Sequence, residues 1–327
     1  VRTNGNGNGY VDAAAAAVVV HVWRRGGEVR ALCRQGQTVT DAALLGGVAQ
    51  LDKAVRELGF HAHRVRATGS SPARHAFADA LHQMGARLLG GLPSLGEAQS
   101  VRLVLDARLP DVPWELLPLD DRPLAVARRL ARVPAARLPS SHTARGRGST
   151  VVATGGNGLP GVMREALHVG RGARLVHGAA ATRASVVEAL TTRRVVHLAM
   201  HGVAAPEAPA LGGVRLADGW FTAADVPEQV GAEVVSLAAC RTGAPPSTAG
   251  SAWGALPSAL MRAGAGWVLW TSGDVDDEAT ADLMSHFHPV TDPARVPQYF
   301  GRAIEHAYGV QGTLARLLPF RLSGGRT

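Results

Sequence analysis

Apolar residues along the chain cluster in short runs, and the spacing of those runs sets the elements. Six runs have strand length: residues 101–105, 150–154, 173–176, 195–200, 234–238 and 267–271. Between or after them lie stretches with apolar positions three and four apart, the helical period, at 162–169, 184–190, 251–263 and 279–286. The strand runs carry no inside/outside alternation. Strands apolar on both faces, alternating with helices, predict a mostly parallel sheet covered on both sides. Nearer the N-terminus, residues 18–23 and 28–34 flank Arg24-Arg25-Gly26-Gly27 and read as a hairpin. A helix over 41–58 is expected next, with Thr40 as its cap. A second one over 76–89 follows Ser71-Pro72.

The pattern divides the chain into three parts. Residues 1–9, with Asn4-Gly5-Asn6-Gly7-Asn8-Gly9, read as a flexible start. Residues 10–149 form an N-terminal part of hairpin, helices and strand, and residues 150–327 an α/β unit. The polar, Gly/Arg-rich stretch 139–149 reads as an exposed connection between them. The first residue is Val1, which is consistent both with a piece of a longer protein and with an unusual start codon.

Composition narrows the function classes. The chain has 327 residues, 46% hydrophobic, so a large core needs no disulfide support. No run approaches the ~18 apolar residues of a membrane span. The best, 13–20, has no basic region before it and no processing site after it, so no secretory signal is expected. Two cysteines, Cys33 and Cys240, make neither a disulfide scaffold nor a cysteine-rich zinc site, and a reducing cytoplasm is the expected setting. The net charge is +8, and Lys53 is the one lysine, so arginine carries nearly all the positive charge. Together with the abundant Ala, Gly, Val and Leu this matches GC-rich, bacterial-type codon usage. The densest basic stretch runs from Arg128 to Arg147 and reads as a solvated surface. No Phe, Trp or Tyr lies between Trp114 and Trp220, so it offers no platform for stacking bases, and no nucleic-acid partner is expected.

In an open α/β sheet, ligands bind beyond the carboxyl ends of the strands. Beyond the run ending at Met200 come His201-Gly202. Beyond the run ending at Ala239 come Cys240-Arg241-Thr242-Gly243. A thiolate is a strong nucleophile that an imidazole can generate. If the two strands are neighbours, their tips bring the side chains together, and the backbone N–H groups of Gly202 and Cys240 could hold an oxyanion. Gly243 would suit a tight turn after the cysteine. The competing reading of Cys240 is a small buried hydrophobe. His197, four residues before His201, reads as a packed, hydrogen-bonded core histidine rather than a metal ligand, because no acid follows at metallopeptidase spacing. Asp218-Gly219 reads as a turn leading to the cap candidate Thr222, and Cys33 as structural. Asp274, Asp276 and Asp277 read either as turn and capping acids or as a pocket wall for a basic side chain. Gly155-Gly156-Asn157-Gly158 lacks the Lys-Ser/Thr of a phosphate loop.

The blocks VVHLAMHG, LADGWFTAADV, VVSLAACRTG and GALPSALMRAGAGWVLWTSGDVDDEATADLM resemble the CHAT family of caspase-like, clan CD cysteine peptidases. Upstream, VRLVLDARLPDVPWELLPLDDRPLAVARRLARVP and LPGVMREALHVGRGARLVHGAAATRASVVEAL are similar to the same family, in the same order. The resemblance implies a caspase-like three-layer α/β sandwich, with His201 as general base and Cys240 as nucleophile. It further implies cysteine endopeptidase activity on a protein substrate, no metal or organic cofactor, and control by a sensor region or regulatory protein. A catalytically silent scaffold of the same fold is the alternative. Two departures fall near the substrate cleft. The family's usual acid near Ser251-Ala252 is missing, and its Trp-Pro pair is replaced by Gly273-Asp274 ahead of Val275-Asp276-Asp277.

Overall fold

A computed structural model describes residues 17–106, 108–133, 146–153, 160–205, 208, 211–243, 255–288 and 292–324. The expected flexible start at 1–9 and residues 139–145 of the expected connection lie outside the described residues. So do Gly155 to Gly158, residues 251–254 of the third expected helix, and with them Ser251 and Ala252.

The N-terminal hairpin is present as β1 (Ala17–Arg25) and β2 (Glu28–Gln35), with Gly26 at φ 61° in the turn. The next segment differs from expectation. Residues expected to start a helix at Asp41 form a third strand, β3 (Thr38–Gly47), antiparallel to β2. The helix α1 (Val48–Thr68) begins only after Gly46 and Gly47. Gly46, next to last in the strand, sits at φ 116°, a conformation side chains rarely adopt. Thr40 therefore caps nothing and bonds the Ser94 hydroxyl at 3.1 Å. The helix α2 (Ser71–Leu89), with proline in its first turn, packs on α1.

The chain then forms β4 (Ser100–Leu105), the small pair β5 (Pro118–Leu119) and β6 (Arg122–Pro123), the one-turn α3 (Leu124–Ala127) and β7 (Arg129–Val133). The α/β alternation follows as β8 (Ser149–Ala153), α4 (Pro160–Val169), β9 (Arg174–His177), α5 (Arg183–Thr192) and β10 (Val195–Ala199). A three-stranded antiparallel sheet comes next: β11 (Gly202–Val203), β12 (Gly213–Leu216) and β13 (Gly219–Thr222), with Asp218 at its hairpin turn. Thr222 caps the short turn that follows, accepting from Ala224 N–H at 3.3 Å. The chain ends with β14 (Val234–Ala238), α6 (Ala255–Arg262), β15 (Trp267–Thr271), α7 (Asp277–Phe287), α8 (Val296–Gln311) and β16 (Phe320–Gly324).

Eleven of these strands form one sheet, in the order β3-β2-β1-β4-β7-β16-β15-β14-β10-β8-β9. β1, β4, β7 and β16 run parallel to one another. β15, β14, β10, β8 and β9 run parallel to one another in the opposite sense, and the two sets meet at the antiparallel β15–β16 pair. Successive residues of the central strands feed opposite layers. Val195, Ala199, Val234 and Ala238 join the cluster under α1, α2, α4, α7 and α8. Val196, Leu198, Val235 and Leu237 join the one under α5, α6 and the small sheet. All five residues of β10 and of β14 are buried, which explains why these runs lacked alternation. The fold is the expected α/β sandwich, a mostly parallel sheet with helices on both faces.

One buried cluster ties β7 to β16 within the first parallel set. The Arg132 guanidinium on β7 donates to Glu115 at 2.8 and 3.0 Å and to Asp111 at 3.0 Å. Arg321 on β16 donates to the other Asp111 oxygen at 2.7 Å. Two cations thus face two anions, and main-chain carbonyls of Val112, Leu318 and Phe320 take further N–H groups. Burial alone would raise the Asp111 carboxyl, but Arg321 and Arg132 hold it well below the usual range. Removing a single member strands the opposing charge, at a cost of about 3–5 kcal/mol. The basic stretch is therefore not one solvated surface, because Arg132 within it is 2% exposed.

Candidate active site

β10 and β14 are adjacent and in register, from Val195 opposite Val234 to Ala199 opposite Ala238. His201 and Cys240 are each two residues past the last matched pair, so they stand level at the same edge of the sheet. The two chain segments are in contact there. A side chain added at Gly202 would run into the Cys240 main-chain carbonyl, so glycine permits the close approach. His201 is exposed and Cys240 half-buried, so solvent and a ligand can reach both. Among the described residues no hydrogen bond joins the His201 ring to the Cys240 sulfur. In unliganded sites such contacts are often long and tighten only with substrate. After His201 the chain leaves the main sheet: its carbonyl accepts from Arg215 N–H at 2.8 Å, and Gly202 pairs with Val214 in the small sheet.

The turn that presents Cys240 is pinned to the end of β15. Arg241 has φ 53°, unusual for a side-chain-bearing residue, and its N–H donates to Gly273 O at 3.0 Å. Thr242 and Thr271 exchange bonds: Thr242 N–H donates to the Thr271 hydroxyl at 3.3 Å, and Thr271 N–H to the Thr242 hydroxyl at 3.1 Å. Gly243 N–H donates to Thr271 O at 2.8 Å. Gly243 is required for a reason other than turn geometry, because its position lies against the Trp270 ring, which leaves no room for a Cβ. Trp270 in turn is fixed by its N–H to the Ser323 hydroxyl at 2.8 Å.

The three acids past β15 have separate fates. Asp274 is exposed and accepts both arms of the Arg241 guanidinium at 2.7 Å. These hydrogen bonds hold the Asp274 carboxyl below its ordinary value. They also raise Arg241, to which the charge of neighbouring Cys240 adds a smaller push. Asp276 caps α7, accepting from Ala279 N–H at 3.0 Å, and meets Arg316 at 3.4 Å. Asp277 accepts from Gly161 N–H at 3.0 Å and fastens α7 to α4. Only Asp274 of the three touches the cysteine turn.

Beneath the tips, the same two strands carry a second polar pair. His197 on β10 lies opposite Ser236 on β14, with Nδ1 and Oγ 2.7 Å apart. Ser236 also bonds His288 Nε2 at 2.7 Å, and Glu165 on α4 approaches His197 Nε2 at 2.7 Å. Burial pushes His197 down to about 3 and His288 well below its ordinary value, so both rings are neutral. Burial, aided by Asp277, raises Glu165 well above the usual carboxyl range, so it is a neutral acid. His197 is thus a core histidine. Arg241, Thr242, Thr271, Ser236, His288 and Glu165 were not singled out from the sequence. Arg241 and Thr242 were visible only as letters of the Cys-Arg-Thr-Gly block, and the others left no local signal.

The family model for the CHAT domain matches residues 75–293. The chain belongs to the CHAT domain family. Comparison with curated protein sequences finds no match. Among solved structures, this CHAT chain is similar to the Arg-specific cysteine proteinase gingipain R (RgpB), at 12% identity and TM-score 0.53. That match covers 84% of this chain and 75% of the gingipain chain. A second match is the complex of Porphyromonas gingivalis RgpB pro- and mature domains, at 11% identity and TM-score 0.51, covering 85% and 76%. It is also similar to the separase of the Saccharomyces cerevisiae separase–securin complex, at 10% identity and TM-score 0.58, covering 96% of this chain and 30% of that one. The CHAT chain therefore spans under a third of that separase. At these identities the likeness establishes the caspase-like fold. No helix among the described residues is long and apolar enough to cross a membrane.

Proposed function

We propose that this CHAT protein is a cysteine endopeptidase acting on a protein substrate. The observation that carries the reading is the placement of an exposed imidazole and a reachable thiol level with each other on neighbouring parallel strands. His201 takes the Cys240 proton, and the thiolate attacks the scissile carbonyl carbon. The carbonyl electrons move onto oxygen, where the N–H groups of Gly202 and Cys240 hold them. Collapse of this intermediate breaks the C–N bond, and His201 returns its proton to the leaving amine. Water, deprotonated by His201, then hydrolyses the acyl-thioester.

Asp274 is the member of the acidic group positioned to meet a basic substrate side chain, in exchange with Arg241. Asp276 and Asp277 shape that wall through α7. The site uses no metal or organic cofactor. The thiol chemistry suits a reducing, cytoplasmic setting, and the securin partner of the separase supports a regulatory protein partner here. A thiol-directed acylating probe tests the reading. It should label Cys240 in the parent protein and fail in His201→Ala. Equal labelling of folded parent and variant would instead favour a silent scaffold.

A further inference from the structure

A cleft of about 650 Å³ opens where β4 and β7 begin and α8 starts. Five arginines and two acids line it, a net excess of positive charge. Some of that charge is spent. Arg122 pairs with Glu305 at 2.9 Å, and Arg128 donates to main-chain carbonyls of Leu95, Gly96 and Ala127. Arg129 is exposed and faces the Gln298 amide oxygen at 2.6 and 2.9 Å, a neutral partner. Arg295 and Arg302 are exposed, and among the described residues neither meets an acid. The N-terminus of the 16-residue α8 also faces this cleft, with no side-chain cap and no acid in its first turn. Its positive dipole end adds to the guanidinium field.

The cleft shares an edge with Cys240. Strand register carries one level across the sheet: Ser100 opposite Arg129, Thr271 opposite Phe320, Ala199 opposite Ala238. β4 and β7 begin where β15, β14 and β10 end, because the two sets run in opposite senses. β7 and β14 are three strand spacings apart, on the order of 14 Å. About five extended residues bridge that span. We infer that this cleft binds an acidic segment of the polypeptide whose scissile bond enters the site, through Arg129, Arg295 and Arg302. Its identity as part of a substrate rests on the peptidase reading; the binding itself does not.

The test uses the full-length Cys240→Ala protein and fluorescence anisotropy. The probes are a labelled Glu/Ser peptide and its Gln/Ser counterpart. The acidic peptide should bind at least ~10-fold tighter than the neutral one, and less tightly as salt rises. Arg295→Gln with Arg302→Gln should weaken it by about 10-fold, while the exposed pair Arg25→Gln with Arg171→Gln stays within about twofold. Equal binding of the two peptides, or no loss in the Arg295/Arg302 variant, would overturn the assignment. So would inorganic phosphate binding as tightly as the peptide, since the cleft would then be a small-anion site. Because no cleavage is read, an inert Cys240 would remove the peptidase reading and leave this result standing. An active enzyme with no peptide binding would do the reverse.

Discussion

β10 and β14 carry two imidazole-plus-nucleophile pairs, four residues apart on each strand, and the environment gives them opposite properties. His197 and Ser236 lie within the sheet, at 1% and 0% exposure. His201 and Cys240 lie at its edge, one exposed and the other half-buried. The inner pair has the better hydrogen bond, yet its imidazole is pushed down to about 3, and no substrate can reach the serine. The outer pair lacks that bond but has access. Residue type and proximity do not make a nucleophile; solvent access and an imidazole outside the buried core do.

The sharpest way to break this comparison is to exchange the roles of the two pairs. Cys240→Ala should abolish cleavage, by about 10³-fold or more, with the fold intact by circular dichroism. Ser236→Ala should keep activity within a few-fold and instead lose about 1–3 kcal/mol of stability in urea melts, because two histidines lose their shared partner. Full activity in the first variant, or abolished activity in a well-folded second one, reverses the assignment of roles. His197→Ala should cost about 2–4 kcal/mol through the cavity it leaves and the lost bond to Ser236.

The pH dependence sharpens the comparison further. His197 and His288 are lowered in the folded state, so the stability they confer is present above pH ~6.5 and is lost as pH falls through their folded values, about 3 for His197. Glu165 is raised, so its contribution is present below pH ~4.5 and is lost as pH rises through its folded value. Glu165→Gln should leave the acid-side decline intact and flatten the alkaline side, read as melting temperature against pH. An unchanged alkaline limb would mean that Glu165 is ionised in the native protein.

Smaller effects belong to the cysteine turn. Gly243→Ala should cost about 1–3 kcal/mol as Trp270 is displaced. Arg241→Ala should change stability by less than ~1 kcal/mol, because both partners of its ion pair are exposed. It should still slow alkylation of Cys240, a readout that a purely structural role would not move.

The central α/β alternation and the positions of His201 and Cys240 were legible because β10 and β14, the strands that carry them, are buried throughout. What was not legible depends on distant partners. Residues 41–47 fall within the helix expected over 41–58 yet form the end of β3, because pairing with β2 and the φ of Gly46 decide. β16 hides behind Arg321 and Ser323, polar residues that are buried because Asp111 and Trp270 meet them from far along the chain. The same holds for Ser236 and Glu165, whose meaning depends on His197 and His288.

Alkylation with iodoacetamide, followed residue by residue by mass spectrometry, tests the outer pair most directly. Cys33, buried and pushed up to about 12, serves as the internal slow thiol. Near pH 7 Cys240 should react faster than a free cysteine and slow about 10-fold in His201→Ala. A Cys240 rate no greater than that of a free thiol, and indifferent to His201, would contradict it.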